Sequence, residues 1–363
     1  MGRYVNPDLN RRAFVKTAVV GCAATVSGCL GDIADDSGSN IDFGSNYTEG
    51  TSEVFPIMQS DFKENIESET DGQVEVTAHL GGTIGDDVEL AEQVQNNTIQ
   101  AALLSFSNLS MYSDPVDLIN IPYFTETNQE FVNLVTSDAW DETIVSEVRE
   151  SGVEPLIYCL GDPRAIGFSE QIDEPALLPD EMQGMTHRIP ASDLLAQIWE
   201  MAGANPTPVD WGETPSAMQE GVADSLDTTP LAYVSQGIHD ILAHVVLTMH
   251  VQDAQVYIVN RDWYDGLPDD IRESVDRAAE MTFEANLEQL PVARENAYNE
   301  MEEVDVEIYE LDDDQIDEWI DTIGHERSEW DEYKEALAGD LDTFDRLNEA
   351  TQEGSEWNVE EYE

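Results

Sequence analysis

The sequence predicts a two-lobed α/β protein, and three observations carry that prediction. The first is the stretch Pro175–Pro230, whose apolar spacing alternates between strand and helix periods. The second is size, because 363 residues with 41% hydrophobic content can bury a core in each of two lobes. The third is that apolar periodicity continues along nearly the whole chain.

The central stretch opens with PALLPDEMQGM, a turn and short acidic segment stopped by Gly184. Thr186–Ile189 then reads as a brief buried strand closed by Pro190, which puts Arg188 at a strand end. Ala191-Ser192-Asp193 starts a helix in which Leu194, Leu195, Ile198 and Met201 recur at helical spacing until Gly203. Pro206 and Pro208 bracket an extended segment to Trp211, Glu213–Glu220 reads as a second short helix, and a strand is expected over Val222–Leu226.

In order and spacing these units resemble the second lobe of substrate-binding proteins of tripartite ATP-independent periplasmic (TRAP) transporters, the DctP-like family, in the form of a haloarchaeal-type lipoprotein. The resemblance rests on the Gly184–Arg188 run before Ile189-Pro190, the run Gly203-Ala204-Asn205-Pro206-Thr207-Pro208, Glu213 with Ala217 and Gln219, Gly221-Val222, and Asp224. It extends by ordered landmarks from Ile41 to about Ala338. It implies a periplasmic-binding-protein-like fold with hinge strands and a long helix spanning both lobes.

Before that stretch, a strand over Ile41–Asn46, a helix over Glu53–Thr70 and a strand over Gln73–Leu80 lead to Gly85-Asp86-Asp87, a helix over Val88–Gln95 and a strand over Ile99–Leu104. Ser105 and Ser107 thus fall at a strand's C-terminal end, where open α/β sheets present ligand-binding groups. Helices at Asn128–Val135 and Thr143–Glu150 precede a strand at Glu154–Cys159. The chain is expected to cross to the second lobe near Asp162–Phe168 and return around Asp253–Val259.

After the return strand, a long amphipathic helix begins near Asp269, and Pro291 should kink or split it. A strand over Val304–Leu311 and acidic helices over Asp314–Leu337 and Asp340–Thr351 follow. The expected organisation is therefore 1–28 signal, 29–40 tether, 41–165 with 254–292 as first lobe, 166–253 with 293–351 as second lobe, and 352–363 as a disordered acidic tail.

Composition narrows the setting. With 78 acidic residues against 15 basic, the formal net charge is -63 and only Lys16, Lys63 and Lys334 are lysines. Self-repulsion at that density is relieved by high ionic strength, so the surface reads as adapted to a saline habitat; sustained periodicity and abundant aromatics argue against a disordered acidic chain. Nucleic acid is excluded as a partner because phosphate would be repelled.

Arg11-Arg12 before Ala13-Phe14-Val15-Lys16 and the weakly apolar Thr17–Val26 fit a twin-arginine signal, and Val26-Ser27-Gly28-Cys29 resembles a lipobox. Cys29 would be the lipid anchor, the alternative being a cleaved signal with a bystander cysteine. Losing Met1–Gly28 removes four basic residues and Asp8, leaving 11 basic against 77 acidic residues and a charge of -66. Cys159, in an apolar run, reads as a core thiol.

Arg188 is the leading binding residue, since a planar guanidinium matches a carboxylate with two parallel charge-assisted hydrogen bonds; the resemblance implies the same role, against an ion pair within the lobe. Relatives often carry a second arginine after the Gly-Phe entering the second lobe, but here Gly167-Phe168 is followed by Ser169. Arg164 either substitutes for it or makes a crossover ion pair. Thr228 and Thr229, in place of the family's usual amide, are ligand donors or turn residues, and Trp211 lines the cleft or the core. Glu213 is expected to orient Arg188 or a hinge strand; Asn46, Tyr47 and Ser105 are first-lobe candidates by position.

No GxSxG, P-loop or HExxH occurs, and the six histidines are scattered without ligand spacing. His187 is expected in the core or on the surface. No catalytic residues, cofactor or metal are expected. The resulting expectation is a monomeric, non-enzymatic binding protein, exported by the twin-arginine route and lipid-anchored on the outer face of the cytoplasmic membrane. It would capture a small carboxylate and deliver it to the small and large integral TRAP subunits; one firm arginine suggests a monocarboxylate, or a dicarboxylate held differently. The rivals are a ligand-sensing lipoprotein for a receptor, a secreted acidic hydrolase and a surface-layer protein.

Overall fold

The structure is a computed structural model that describes residues 40–47, 54–359 and 362. The signal at 1–28, Cys29 and the tether apart from Asn40 lie outside the described residues. No described helix is long and apolar enough to cross a membrane.

β1 (Ile41–Ser45) buries Phe43 against the first helix, α1 (Val54–Glu69), which presents Met58, Phe62 and Ile66 at four-residue spacing on one face. β2 (Val76–His79) follows. α2 (Asp87–Gln95) opens with a reciprocal cap, Glu89 N donating to Asp86 and Asp86 N to the Glu89 carboxylate. β3 (Ala101–Ser105) is buried up to Ser105, and the chain then coils through short 3₁₀ turns at Phe106–Met111 and Asp114–Asn120. α3 (Asn128–Val135) is followed by α4 (Asp138–Trp140), a π turn at Asp141–Val145 and α5 (Ser146–Glu150), so the helix expected from Thr143 begins earlier, capped by Ser137. β4 (Val153–Leu160) completes this part.

β5 (Ala165–Ser169) leads to the central stretch, which forms β6 (Thr186–Ile189), α6 (Asp193–Met201) capped by Ser192, β7 (Asn205–Pro208) and α7 (Thr214–Gln219). β8 occupies Ser225–Thr228, later than the expected Val222–Leu226. The reason is local: Gly221 takes a φ of 72° and Val222 N donates back to Ala217 O, so these residues close α7. α8 (Pro230–Ser235) and β9 (Leu242–Leu247) were not anticipated. β10 (Ala254–Asn260), α9 (Arg261–Asp265), α10 (Asp269–Glu303), β11 (Glu307–Glu310), α11 (Asp313–Ile323), α12 (Asp331–Ala338) and α13 (Leu341–Thr351) finish the fold. α11 and α12, expected as one helix, are parted at Gly324-His325, where His325 Nδ1 is 2.7 Å from Tyr123 O.

The strands form two sheets, ordered β2-β1-β3-β10-β4 and β11-β9-β5-β8-β6-β7. The chain therefore passes between the sheets three times, from β4 to β5, from β9 to β10 and, through α10, from β10 to β11. The first two crossings pair with each other, Gly161 N donating to Asp253 O and Arg164 N to Val251 O, each at 2.9 Å. α10 continues through Pro291 as one 35-residue helix and packs on α1 and β4 in one lobe and on α8 and β11 in the other. Its Asn286 bonds both N and O of Leu160, and Arg294 pairs with Asp162 at 2.6 Å, clamping the helix to the first crossing.

The end of the chain departs from expectation. α11 packs on the second lobe, Trp319 donating to Leu177 O, but α12 lies on the Asp114–Asn120 turn and α13 on α3, within the first lobe. The described part of the tail is also packed: Val359 is fully buried and the Trp357 ring meets Phe283 edge-on at 5.0 Å. Two apolar side chains in an otherwise acidic tail outweigh its charge.

Candidate binding cavity

The double crossing leaves a cavity of about 770 Å³ between the sheets. Its first-lobe wall is supplied by Tyr47, Ser105, Ser107, Asn108, Ser110, Asp117 and Asn120, and its second-lobe wall by Arg188, Pro190, Ser192, Leu194, Leu195, Trp211 and Thr228. Arg164 and Asp253 reach it from the crossings, and Gln255 from the start of β10.

Arg188 sits on β6 opposite Thr207 and Leu226 and is only 5% exposed. Nε donates to Val209 O at 2.9 Å, and the guanidinium carbon lies 5.1 Å from the centroid of the Trp211 ring. The terminal nitrogens make no hydrogen bond among the described residues. Every other described lysine or arginine has an acid within 4.0 Å; Arg188 has none. In a chain with 78 acids that isolation is unusual, and it leaves a fork anchored at Nε and Trp211 with its carboxylate-binding edge unused. Burial pushes its pKa down, with Asp227 opposing and Arg164 adding to the shift.

Arg164 is engaged. Its Nε donates to Asp227 Oδ2 at 2.6 Å and its Nη2 to Asp227 O at 2.9 Å. Burial alone would lower its pKa, but Asp227 and Asp253 hold it up. Asp227 is the centre of a buried cluster, with His187 Nε2 at 3.2 Å and His250 Nε2 at 3.4 Å. Despite burial, the Arg164 charge and the histidine contacts hold its carboxyl well below the usual range. His187 has no exposed surface, stacks on Trp199 with centroids 3.7 Å apart, and is driven toward its neutral form by burial.

Behind the opposite wall Asp87 acts as a bracket for Ser105 and Asn108, accepting from Asn46 Nδ2 at 2.5 Å and from Asn108 Nδ2 at 3.1 Å, with Ser105 N at 3.4 Å. Burial raises its pKa against those bonds.

Of the residues singled out from sequence, Arg188, Arg164, Trp211, Thr228 and Ser105 come together on this cavity, with Tyr47. Asn46 does not line it and acts on it through Asp87. Thr229 caps α8, accepting from Ala232 N at 3.1 Å. Ser169 is buried at the end of β5, which it reaches after running from the crossing toward the lobe's far side. Glu213 is exposed and its side chain bonds nothing among the described residues; the Val209 carbonyl orients Arg188 instead. Asn108, Ser110, Asp117, Asn120, Asp253 and Gln255 were missed. Their signal was available in part, since 106–120 directly follows the C-terminal end of β3.

The family model described as "Bacterial extracellular solute-binding protein, family 7" (DctP) matches residues 45–334. The chain is 24% identical over 286 residues to the C4-dicarboxylate-binding periplasmic protein DctP of Vibrio cholerae, covering 78% of this chain and 83% of that one. It is 25% identical over 275 residues to the ectoine-binding periplasmic protein TeaA of Halomonas elongata, covering 74% and 79%. Among solved structures, a TRAP periplasmic solute binding protein from Roseobacter denitrificans with bound β-D-glucuronate superposes with a TM-score of 0.74 at 18% identity, covering 87% of this chain and 100% of that one. Another from Shewanella oneidensis with bound succinate gives 0.73 at 17% identity, over 87% and 100%. These likenesses establish the two-lobed fold.

Proposed function

The chain belongs to family 7 of the bacterial extracellular solute-binding proteins, and from that membership we propose that it captures a small organic acid through Arg188 and delivers it to the two integral subunits of a TRAP transporter. One observation carries the carboxylate reading: Arg188 is buried on the cavity wall with its terminal nitrogens unused and no acid within 4.0 Å among the described residues. An uncompensated buried cation is costly in the empty protein and is stabilised by a ligand that brings its own anion.

Binding is non-covalent. The solute bridges walls from two lobes joined by paired crossings, so it favours the closed arrangement by contacting both. The same reading includes export by the twin-arginine route, anchoring through lipid on Cys29, action as a monomer in a saline medium, and no catalytic step.

A thermal-shift screen of the mature domain in multimolar KCl against mono-, di- and sugar acids tests it. One class of acid should raise the melting temperature, and Arg188→Ala should abolish that rise. An acid that stabilises the variant as much as the parent would refute the role of Arg188. For the anchor, Cys29→Ser should move the protein from the membrane to the soluble fraction.

A further inference from the structure

The carboxylate reading leaves one acid of the cavity unexplained. Asp117, on the Asp114–Asn120 turn of the first lobe, lines the same cavity as Arg188 of the second. No lysine, arginine or histidine lies within 4.0 Å of its carboxylate among the described residues. Its hydrogen-bonding neighbours are Asn120 Nδ2, 3.5 Å from Oδ1, and the Ser110 side chain. Burial and nearby Asp114 both disfavour its ionised form and push its pKa up, so a cation placed beside it would be stabilised.

Of the other charges, Arg164 is paired with Asp227, and Asp253, at the crossing between the walls, has no ion pair of its own but lies in the field of the same arginine. On the two facing walls themselves, that leaves Arg188 on one and Asp117 on the other, neither with a counter-ion within 4.0 Å among the described residues. A second carboxylate on the solute would meet Asp117, or an arginine already neutralised. A solute without a positive group would leave Asp117 facing nothing of opposite charge.

We infer that the solute is a zwitterion, with one carboxylate for Arg188 and one cationic N–H group, an ammonium or amidinium, for Asp117. The polar surroundings of Asp117, with an amide and hydroxyls at hand, suit a group that donates hydrogen bonds. This inference rests on the carboxylate reading and specifies the other half of the solute.

The test is calorimetric titration of the mature domain in multimolar KCl with matched probes. These are γ-aminobutyrate, butyrate and succinate; proline and cyclopentanecarboxylate; and a cyclic amidinium carboxylate with cyclohexanecarboxylate. The tightest zwitterion should bind at least about tenfold better than its amine-free partner, and succinate should not outdo it. Asp117→Asn should collapse that preference to within about threefold and tighten the amine-free acid, because a repelling charge is gone. The wild-type ratio requires no variant, so a misfolded Asp117→Asn would not rescue or sink the idea. The inference is overturned if no zwitterion binds, or if an amine-free or dicarboxylic acid binds as well as any zwitterion. In the second case, loss of that binding in Arg188→Ala leaves the carboxylate reading standing, whereas retention removes it too.

Discussion

Arg164 and Asp227 are joined twice, by Nε to Oδ2 at 2.6 Å and by Nη2 to the Asp227 carbonyl oxygen at 2.9 Å. The bond ties the first crossing to β8 and uses the charge of an arginine that also faces the cavity. Arg188, one strand further into the second lobe, has no such partner. Two arginines of one cavity thus have different duties, and substitutions should separate them.

Arg164→Ala would leave Asp227 buried beside a histidine held neutral, and should destabilise the fold by about 3–5 kcal/mol. Denaturant titration in multimolar KCl measures this. Adding Asp227→Asn should recover part of the loss, giving a non-additive double-mutant cycle; additive losses would mean the pair is not coupled.

Arg188→Met should act in the opposite sense. No native ion pair is broken and a buried charge is removed, so the empty protein should be as stable as the parent or about 1 kcal/mol more so. Ligand-induced stabilisation should vanish. A variant that melts several degrees lower would show that Arg188 supports the lobe.

His187 predicts a pH effect. Burial lowers its pKa from the ordinary 6.5, so the unfolded chain takes up the proton first as pH falls. Stability from this residue is therefore present above pH 6.5 and drains as pH falls through that value toward the lower folded-state pKa. The stability difference between parent and His187→Gln should shrink between about pH 8 and about pH 5. A difference independent of pH would show that His187 titrates alike in both states.

Salt should matter most at modest concentrations. With a formal charge of -63, the melting temperature should rise steeply with KCl up to about 1 M, where the screening length is about 3 Å, and more gently beyond. Differential scanning calorimetry across KCl concentrations checks this. A flat profile would contradict the charge-repulsion account.

Deleting 354–363 should cost about 2–4 kcal/mol, because it removes buried Val359 and the Trp357 contact with Phe283. It also cuts the bonds of Ser355 N to Asn133 and of Val359 N to Gln129. Ligand affinity should hold, since none of these groups lines the cavity between the lobes. A shortened chain that melts like the parent would mean the tail contributes no net stability.

Much of the architecture was legible because its determinants are local. Ser192 caps α6, Gly203 and Gly221 take positive φ at the ends of helices, and Met58, Phe62 and Ile66 repeat at four residues. Where two local signals competed, reading failed. Val222 looked like strand and was absorbed into the turn closing α7, while β9 carries no flanking signal that separates it from other apolar runs. Pro291 stays inside one helix because packing along both lobes outweighs a lost hydrogen bond.

By itself the sequence determined the fold class, the order of its units, the extreme acidity and the position of Arg188 at a strand end. Those properties follow from spacing and residue type within short windows. Only the tertiary structure decided which charges are satisfied. The sequence put Arg188 first and left Arg164 open between ligand contact and ion pair; Asp227, 63 residues from Arg164, takes that arginine and leaves Arg188 open. Asp117 gained its meaning in the same way, by being brought onto the cavity that Arg188 lines. Charge pairing depends on distances of a few ångströms between segments far apart in the chain, and no local pattern encodes them.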